Sequence, residues 1–137
     1  MHILDCSFTA ALFLSDEKSE SVTRAFAAFQ EGETVAVPQL WWYEMGSVLT
    51  IAVKRRRLSH SGVVTIIGLL KDYGLETDQD YGESYVGQLF ELSQLYGISS
   101  YDAAYLELAI RKQGRLATLD GKLADACKRA GVGLVDS

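Results

Sequence analysis

Short apolar segments alternate with stretches of helical period along the whole chain, and this alternation constrains the fold more than any other feature. His2-Ile3-Leu4-Asp5 reads as a short buried strand, and 7–14, with Phe8, Ala11, Leu12 and Leu14, as a short helix. Val22, Ala25, Phe26 and Phe29 fall at i, i+3, i+4 and i+7, which predicts an amphipathic helix over 19–31 stopped by Gly32. A strand over 34–37 follows, and Pro38 suits the turn into a long helix over 39–57. Ser59 or Ser61 can cap the next helix, 60–72. The remaining pattern predicts a strand at 75–78, helices at 83–96 and 101–113, a strand at 115–119, a helix at 121–130 and a last strand near 132–135. Strands that alternate with helices build a parallel sheet covered on both faces. The expected architecture is therefore α/β, with a central parallel sheet of four to five short strands between two helical layers.

The 137 residues suit one domain, 1–137, and the 48% hydrophobic content is enough for a sizeable core. The opening residues reach a charge too soon for a secretory leader, and no segment approaches the ~20 apolar residues of a membrane span. A cytoplasmic protein with no membrane partner is expected. Cys6 and Cys127 have neither zinc-site nor redox-motif spacing and read as buried, reduced side chains. The net charge of −5 argues against a protein that coats nucleic acid, although basic clusters occur at Lys54–Arg57, Arg111–Arg115 and Lys128-Arg129. Such clusters are ordinarily solvated helix ends.

In an open parallel sheet the ligand site lies beyond the carboxyl ends of the strands. Asp5 and Asp120 directly follow predicted strands, Asp102 sits in the first turn of a predicted helix, and Glu44 lies near the start of the long helix after Pro38. Each has a commonplace reading. Asp5 and Asp120 can cap the helices that follow, Ser99-Ser100-Tyr101-Asp102 has the pattern of a capping box, and Glu44 can be a surface residue. Helical spacing weighs against these readings for two of the four. Glu44 shares a face with Leu40, Trp41, Val48 and Ile51, and Asp102 shares one with Ile98, Tyr105, Leu106 and Ala109. A carboxylate facing a core needs a cation or hydrogen-bond donors. No Lys or Arg lies three or four residues from Glu44. Convergent carboxylates without histidine suit a hard cation, Mg²⁺ or Mn²⁺, better than zinc.

Four segments resemble, in order, the motifs of the PIN-domain family. These are Ile3-Leu4-Asp5-Cys6-Ser7; Pro38 to Leu49 with Glu44; Ile98-Ser99-Ser100-Tyr101-Asp102-Ala103-Ala104-Tyr105-Leu106; and Leu116-Ala117-Thr118-Leu119-Asp120 with Leu123. The resemblance covers nearly the whole chain and is closest to the VapC-like toxins. It implies a PIN-like fold and a Mg²⁺- or Mn²⁺-dependent endoribonuclease acting on RNA, typically a homodimer neutralised by a cognate antitoxin. By position it implies that Asp5, Glu44, Asp102 and Asp120 are both the catalytic and the metal-holding residues, with Ser7 and Thr118 as hydroxyls that orient them. Ser47 stands where the family often has Asn, and Asp125 reads as a surface helix residue.

Two other classes compete. An aspartate-phosphorylated receiver needs an acidic pair after the first strand, and a dehalogenase-like phosphatase needs Asp-x-Asp; Asp5-Cys6-Ser7 meets neither pattern. A non-catalytic RNA- or protein-binding module on the same fold is the remaining alternative. Trp41, Trp42 and Tyr43 are adjacent and cannot all face one core, so an outward aromatic is expected, suited to a dimer or antitoxin interface. Arg55, Arg56, Arg57, Arg115 and Lys122 are candidates for holding flanking phosphates.

Overall fold

The computed structural model describes residues 1–14, 20–29 and 32–135. Along the chain lie β1 (His2–Leu4), α1 (Cys6–Leu14), α2 (Glu20–Phe29), β2 (Val35–Val37), α3 (Gln39–Lys54), α4 (His60–Tyr73), β3 (Glu76–Thr77), α5 (Glu83–Tyr96), α6 (Ser100–Lys112), β4 (Arg115–Ala117) and α7 (Gly121–Arg129). The strands form one parallel sheet in the order β3-β2-β1-β4. A single parallel bridge from Leu116 to Leu134 extends it where a last strand over 132–135 was expected. Val35, Ala36 and Val37 are all buried, as are Ile3 and Leu4. Successive strand side chains point to opposite faces, so burial of every one means that both faces of the sheet are covered.

Local chemistry sets the helix ends. Ser59 caps α4 by accepting from the Gly62 N–H at 3.0 Å, and Ser99 caps α6 by accepting from the Asp102 N–H at 3.1 Å. Gly74 and Gly97 close α4 and α5 at φ 63°, a left-handed conformation that costs glycine little. Helix α3 stops at Lys54, three residues before the expected end, because Arg56 turns left-handed at φ 58° and the Arg57 N–H returns to the Ala52 carbonyl. The predicted ends of the 19–31 helix at residues 19, 30 and 31 lie outside the described residues.

Helix α6 is the central beam. All residues from Ala103 to Ala109 are buried, and it packs against α5, β1, β4 and α7. Its N-terminus opens at the carboxyl edge of the sheet, which brings Asp102 towards the strand ends. Cys6 and Cys127 are both free and buried. Among the described residues, no helix is long and apolar enough to cross a membrane.

Candidate functional site

The chain leaves β1 at Leu4, and Asp5 is the first residue past the strand. It is 8% exposed, and its Oδ2 accepts from two hydroxyls, Ser7 Oγ at 2.7 Å and Thr118 Oγ1 at 2.6 Å. The same hydroxyls also receive backbone hydrogen bonds from the neighbouring loop. Leu119 N–H donates to Ser7 Oγ and Asp120 N–H to Thr118 Oγ1, each at 3.0 Å. Strand β4 ends at Ala117 and not at residue 119, because Thr118 and its successors turn to make these bonds. One network thus ties the ends of β1 and β4 together and fixes the direction of the Asp5 carboxylate.

Asp120 is exposed and caps α7, its Oδ1 accepting from the Lys122 and Leu123 N–H groups at 2.9 and 3.1 Å. The capping role that the sequence suggested is real here, and it engages only one of the two oxygens. Asp102 is half-buried; burial first, then the charges of Asp120 and Asp5, push its pKa up. Glu44 is also half-buried and accepts a short hydrogen bond from the Tyr105 hydroxyl. Burial raises the Glu44 pKa; the Tyr105 bond opposes the rise, and the charges of Asp5 and Asp102 add to it. The same burial and the bond to Glu44 push the Tyr105 hydroxyl far up, so it acts as a fixed neutral donor.

The four acids from four segments therefore share one electrostatic neighbourhood at the carboxyl edge. Among the described residues, none of them forms an ion pair with Lys or Arg. Lys122 is a nearby cation, and its charge works against the raised pKa of Asp102. Such an excess of negative charge fits a divalent cation in donor chemistry, since every donor is a hard oxygen. Among the described residues, however, no three acidic, imidazole or thiol groups stand as a ready-made chelate. Mg²⁺ tolerates this spacing better than zinc would, because it keeps several waters and takes only one or two carboxylates directly.

The remaining candidates are dispersed. Ser47 is exposed and lines a shallow surface with Trp42, Tyr43 and Thr50. Asp125 pairs with Arg129 on the surface at 3.0 Å. Arg55 and Arg57 border a cavity of about 420 Å³ between α1 and α3 that reaches Ser7. Arg115 is turned to the Leu134 carbonyl at 2.8 Å. Trp41 is fully buried, whereas Trp42 is 42% and Tyr43 79% exposed. Trp42 is tied down by its indole N–H, which donates to Thr77 Oγ1 at 2.8 Å.

Sequence reasoning passed over one cluster. Glu107, 4% exposed, meets Arg111 at 2.7 Å, and Arg111 also grips Asp78 through two parallel bonds of 3.0 and 2.6 Å. A glutamate inside an otherwise apolar stretch of α6, with an arginine four residues on, was the available signal.

Comparison with known proteins identifies the family. The PIN domain profile matches residues 3–129. The chain is 30% identical over 123 residues to Ribonuclease VapC3 of Pyrobaculum aerophilum, an alignment covering 90% of this chain and 92% of that protein. It also shares its fold with the crystal structure of PAE2754 from Pyrobaculum aerophilum, at a TM-score of 0.70 and 20% identity, over 98% of this chain and 83% of that one. With the acids of all four motifs at one sheet edge and the family profile spanning nearly every element, the chain belongs to the PIN-domain family, among its VapC-like members.

Proposed function

We propose that this protein is a nuclease, specifically a Mg²⁺- or Mn²⁺-dependent endoribonuclease, and the toxin of a toxin–antitoxin pair. The observation that carries the reading is the set of four carboxylates in which Glu44 feels the charges of Asp5 and Asp102, and Asp102 those of Asp120 and Asp5, with no Lys or Arg paired to any of the four among the described residues. A structural cluster would be paired with a cation, as Glu107 and Asp78 are with Arg111. The relation to Ribonuclease VapC3 supports RNA as the substrate and an antitoxin as the partner.

Asp5 would hold the ion directly, because Ser7 and Thr118 fix one of its oxygens and so aim the other. Asp120 accepts the cap bonds through Oδ1, which would leave Oδ2 for the ion, and Asp102 lies within charge range of Asp5 and Asp120. Glu44, steered by Tyr105, would position water or a second ion. When bound, the divalent ion supplies an acidified water and charge neutralisation at the phosphoryl group. Without it the acids would repel the RNA backbone. Arg55 and Arg57, on the cavity that reaches Ser7, would hold a neighbouring phosphate. Exposed Trp42 and Tyr43 fit a homodimer or antitoxin contact, and the proposed role is a cytoplasmic one.

The test is cleavage of a mixed single-stranded RNA pool with Mg²⁺, Mn²⁺ or EDTA, alongside Asp5→Asn and Asp102→Asn. Cutting that needs metal and both acids is expected. A folded protein that neither cuts RNA nor is stabilised by Mn²⁺ would leave only the non-catalytic binding module.

A further inference from the structure

The carboxyl edge of the sheet carries a second feature, beside the acids and on the β2–β3 half. A cavity of about 320 Å³ opens there, lined by Gln39, Asp80, Tyr81, Tyr85, Ser100 and Tyr101 among others. It shares the first turn of α6 with the acid cluster, since Tyr101 immediately precedes Asp102. Strands lie about 4.8 Å apart, so two strand spacings put the cavity roughly 10 Å from Asp5. Two aromatic rings at this mouth are left in solvent, Tyr81 at 83% and Tyr101 at 65% exposure. Their prominence is unexplained by the core.

We infer that this cavity is a nucleobase subsite, in which Tyr81 and Tyr101 stack on a base one or two nucleotides from the scissile phosphate and Asp80 reads its edge. The inference rests on the ribonuclease reading and specifies how that site takes its substrate. Single-stranded RNA is recognised by splayed bases on aromatic faces with polar groups at their edges. The cavity supplies both. Asp80 has a side chain 51% exposed and meets Arg111 only at 3.5 Å, while the Arg111 Nε is directed to Glu107 at 2.7 Å. Its carboxylate therefore retains acceptor capacity. Gln39 donates to the Asp80 carbonyl at 3.5 Å and helps fix the loop. A carboxylate accepts from an exocyclic amino group but repels a carbonyl, so cytosine is favoured over uracil. Tyr85, which also lines the cavity, stays neutral, its pKa pushed up to about 12 by burial and then by the charges of Glu107 and Asp78.

The experiment measures binding of labelled single-stranded oligo(C) and oligo(U) to the full chain carrying Asp102→Asn, which suppresses cutting. Into this parent are placed Tyr81→Ala, Tyr101→Ala, the two Phe counterparts, and Asp80→Asn, each checked for an unchanged melting temperature. Either Ala change should weaken oligo(C) binding about tenfold, with each Phe variant retaining the parent's affinity. Asp80→Asn should erase a roughly fivefold preference for oligo(C) over oligo(U). A parent that binds RNA while both Ala variants bind equally well overturns the subsite and leaves the ribonuclease reading intact. A parent that binds neither oligonucleotide, in a protein whose unsubstituted form cuts no RNA, overturns both.

Discussion

Replacing Arg111 with methionine tests whether the cluster behind the site is held by charge. Arg111→Met keeps most of the aliphatic stem but removes the cation gripping Glu107, 4% exposed, and Asp78, whose side chain is 9% exposed. Breaking a buried ion pair by deleting one partner costs about 3–5 kcal/mol, since the other charge is left without compensation. The Arg111 side chain is 31% exposed, so water will reach the orphaned carboxylates and the lower end, about 3 kcal/mol, is expected. The unfolding entropy of a chain of 137 residues is about 0.3 kcal/mol/K, so the melting temperature should fall by roughly 10 °C at neutral pH. Thermal melts by circular dichroism in EDTA measure this without interference from bound metal. The triple variant Arg111→Met, Glu107→Gln, Asp78→Asn should recover most of the loss, because neutral amides carry no stranded charge. The difference from wild type should also narrow in acid. Burial disfavours the Asp78 carboxylate, but the hydrogen bonds and charge of Arg111 outweigh it and hold its pKa below the ordinary 3.8. A depressed carboxyl pKa contributes stability that is complete above 3.8 and disappears as pH falls through the lower, folded value. That is the window in which wild type should lose its advantage. A loss under about 1 kcal/mol, or a triple variant no more stable than the single one, would refute the charge argument.

Three further outcomes follow from the same geometry. Thr118→Val preserves shape while removing the donor to Asp5 Oδ2 and the acceptor for Asp120 N–H; Mn²⁺ affinity by calorimetry should fall about 10- to 100-fold, and an unchanged affinity would mean that the hydroxyl does not orient the acid. Asp120→Asn should keep the α7 cap and Asp120→Ala should lose about 1 kcal/mol of stability, while both should lose nuclease activity; equal melts with full activity in both would remove Asp120 from the site. Cys127 should resist iodoacetamide at pH 8 until the protein unfolds, because burial and then the charges of Asp102 and Asp5 push its thiol up to about 12; rapid alkylation of folded protein, read by mass spectrometry, would contradict its burial.

What the sequence made legible was whatever depends on local spacing. An apolar strand followed by an acid places Asp5 at a strand end because the side chain directly after a parallel strand lies at its carboxyl edge; Asp120 reaches the same edge three residues after β4, as the cap of α7. Helical period likewise placed Glu44 and Asp102 on inward faces, where both are half-buried. The same rules overextended elements that end through tertiary contacts. Residues 118–119 continue the apolar pattern of β4, yet Thr118 leaves the ladder to bind Asp5, a residue 113 positions away.

The features that escaped share one cause: their meaning lies in a partner brought by the fold. Tyr105 looked like a core residue on the face of Asp102, and it is one, at 1% exposure. Only the fold, by bringing Glu44 of α3 within reach of α6, reveals that its hydroxyl is spent on a carboxylate 61 residues away. Glu107, which the spacing argument passed over, gains its meaning only when the end of β3 delivers Asp78 to the same arginine. The contrast between these two acidic groups is itself informative. Where the fold needed buried carboxylates for structure, it paired them with the Arg111 guanidinium. At the strand ends it supplied hydroxyls, backbone N–H groups and a phenol, which orient carboxylates without cancelling their charge. Orientation without neutralisation is costly for stability, and it is the arrangement a site requires when its counter-charge arrives from solution.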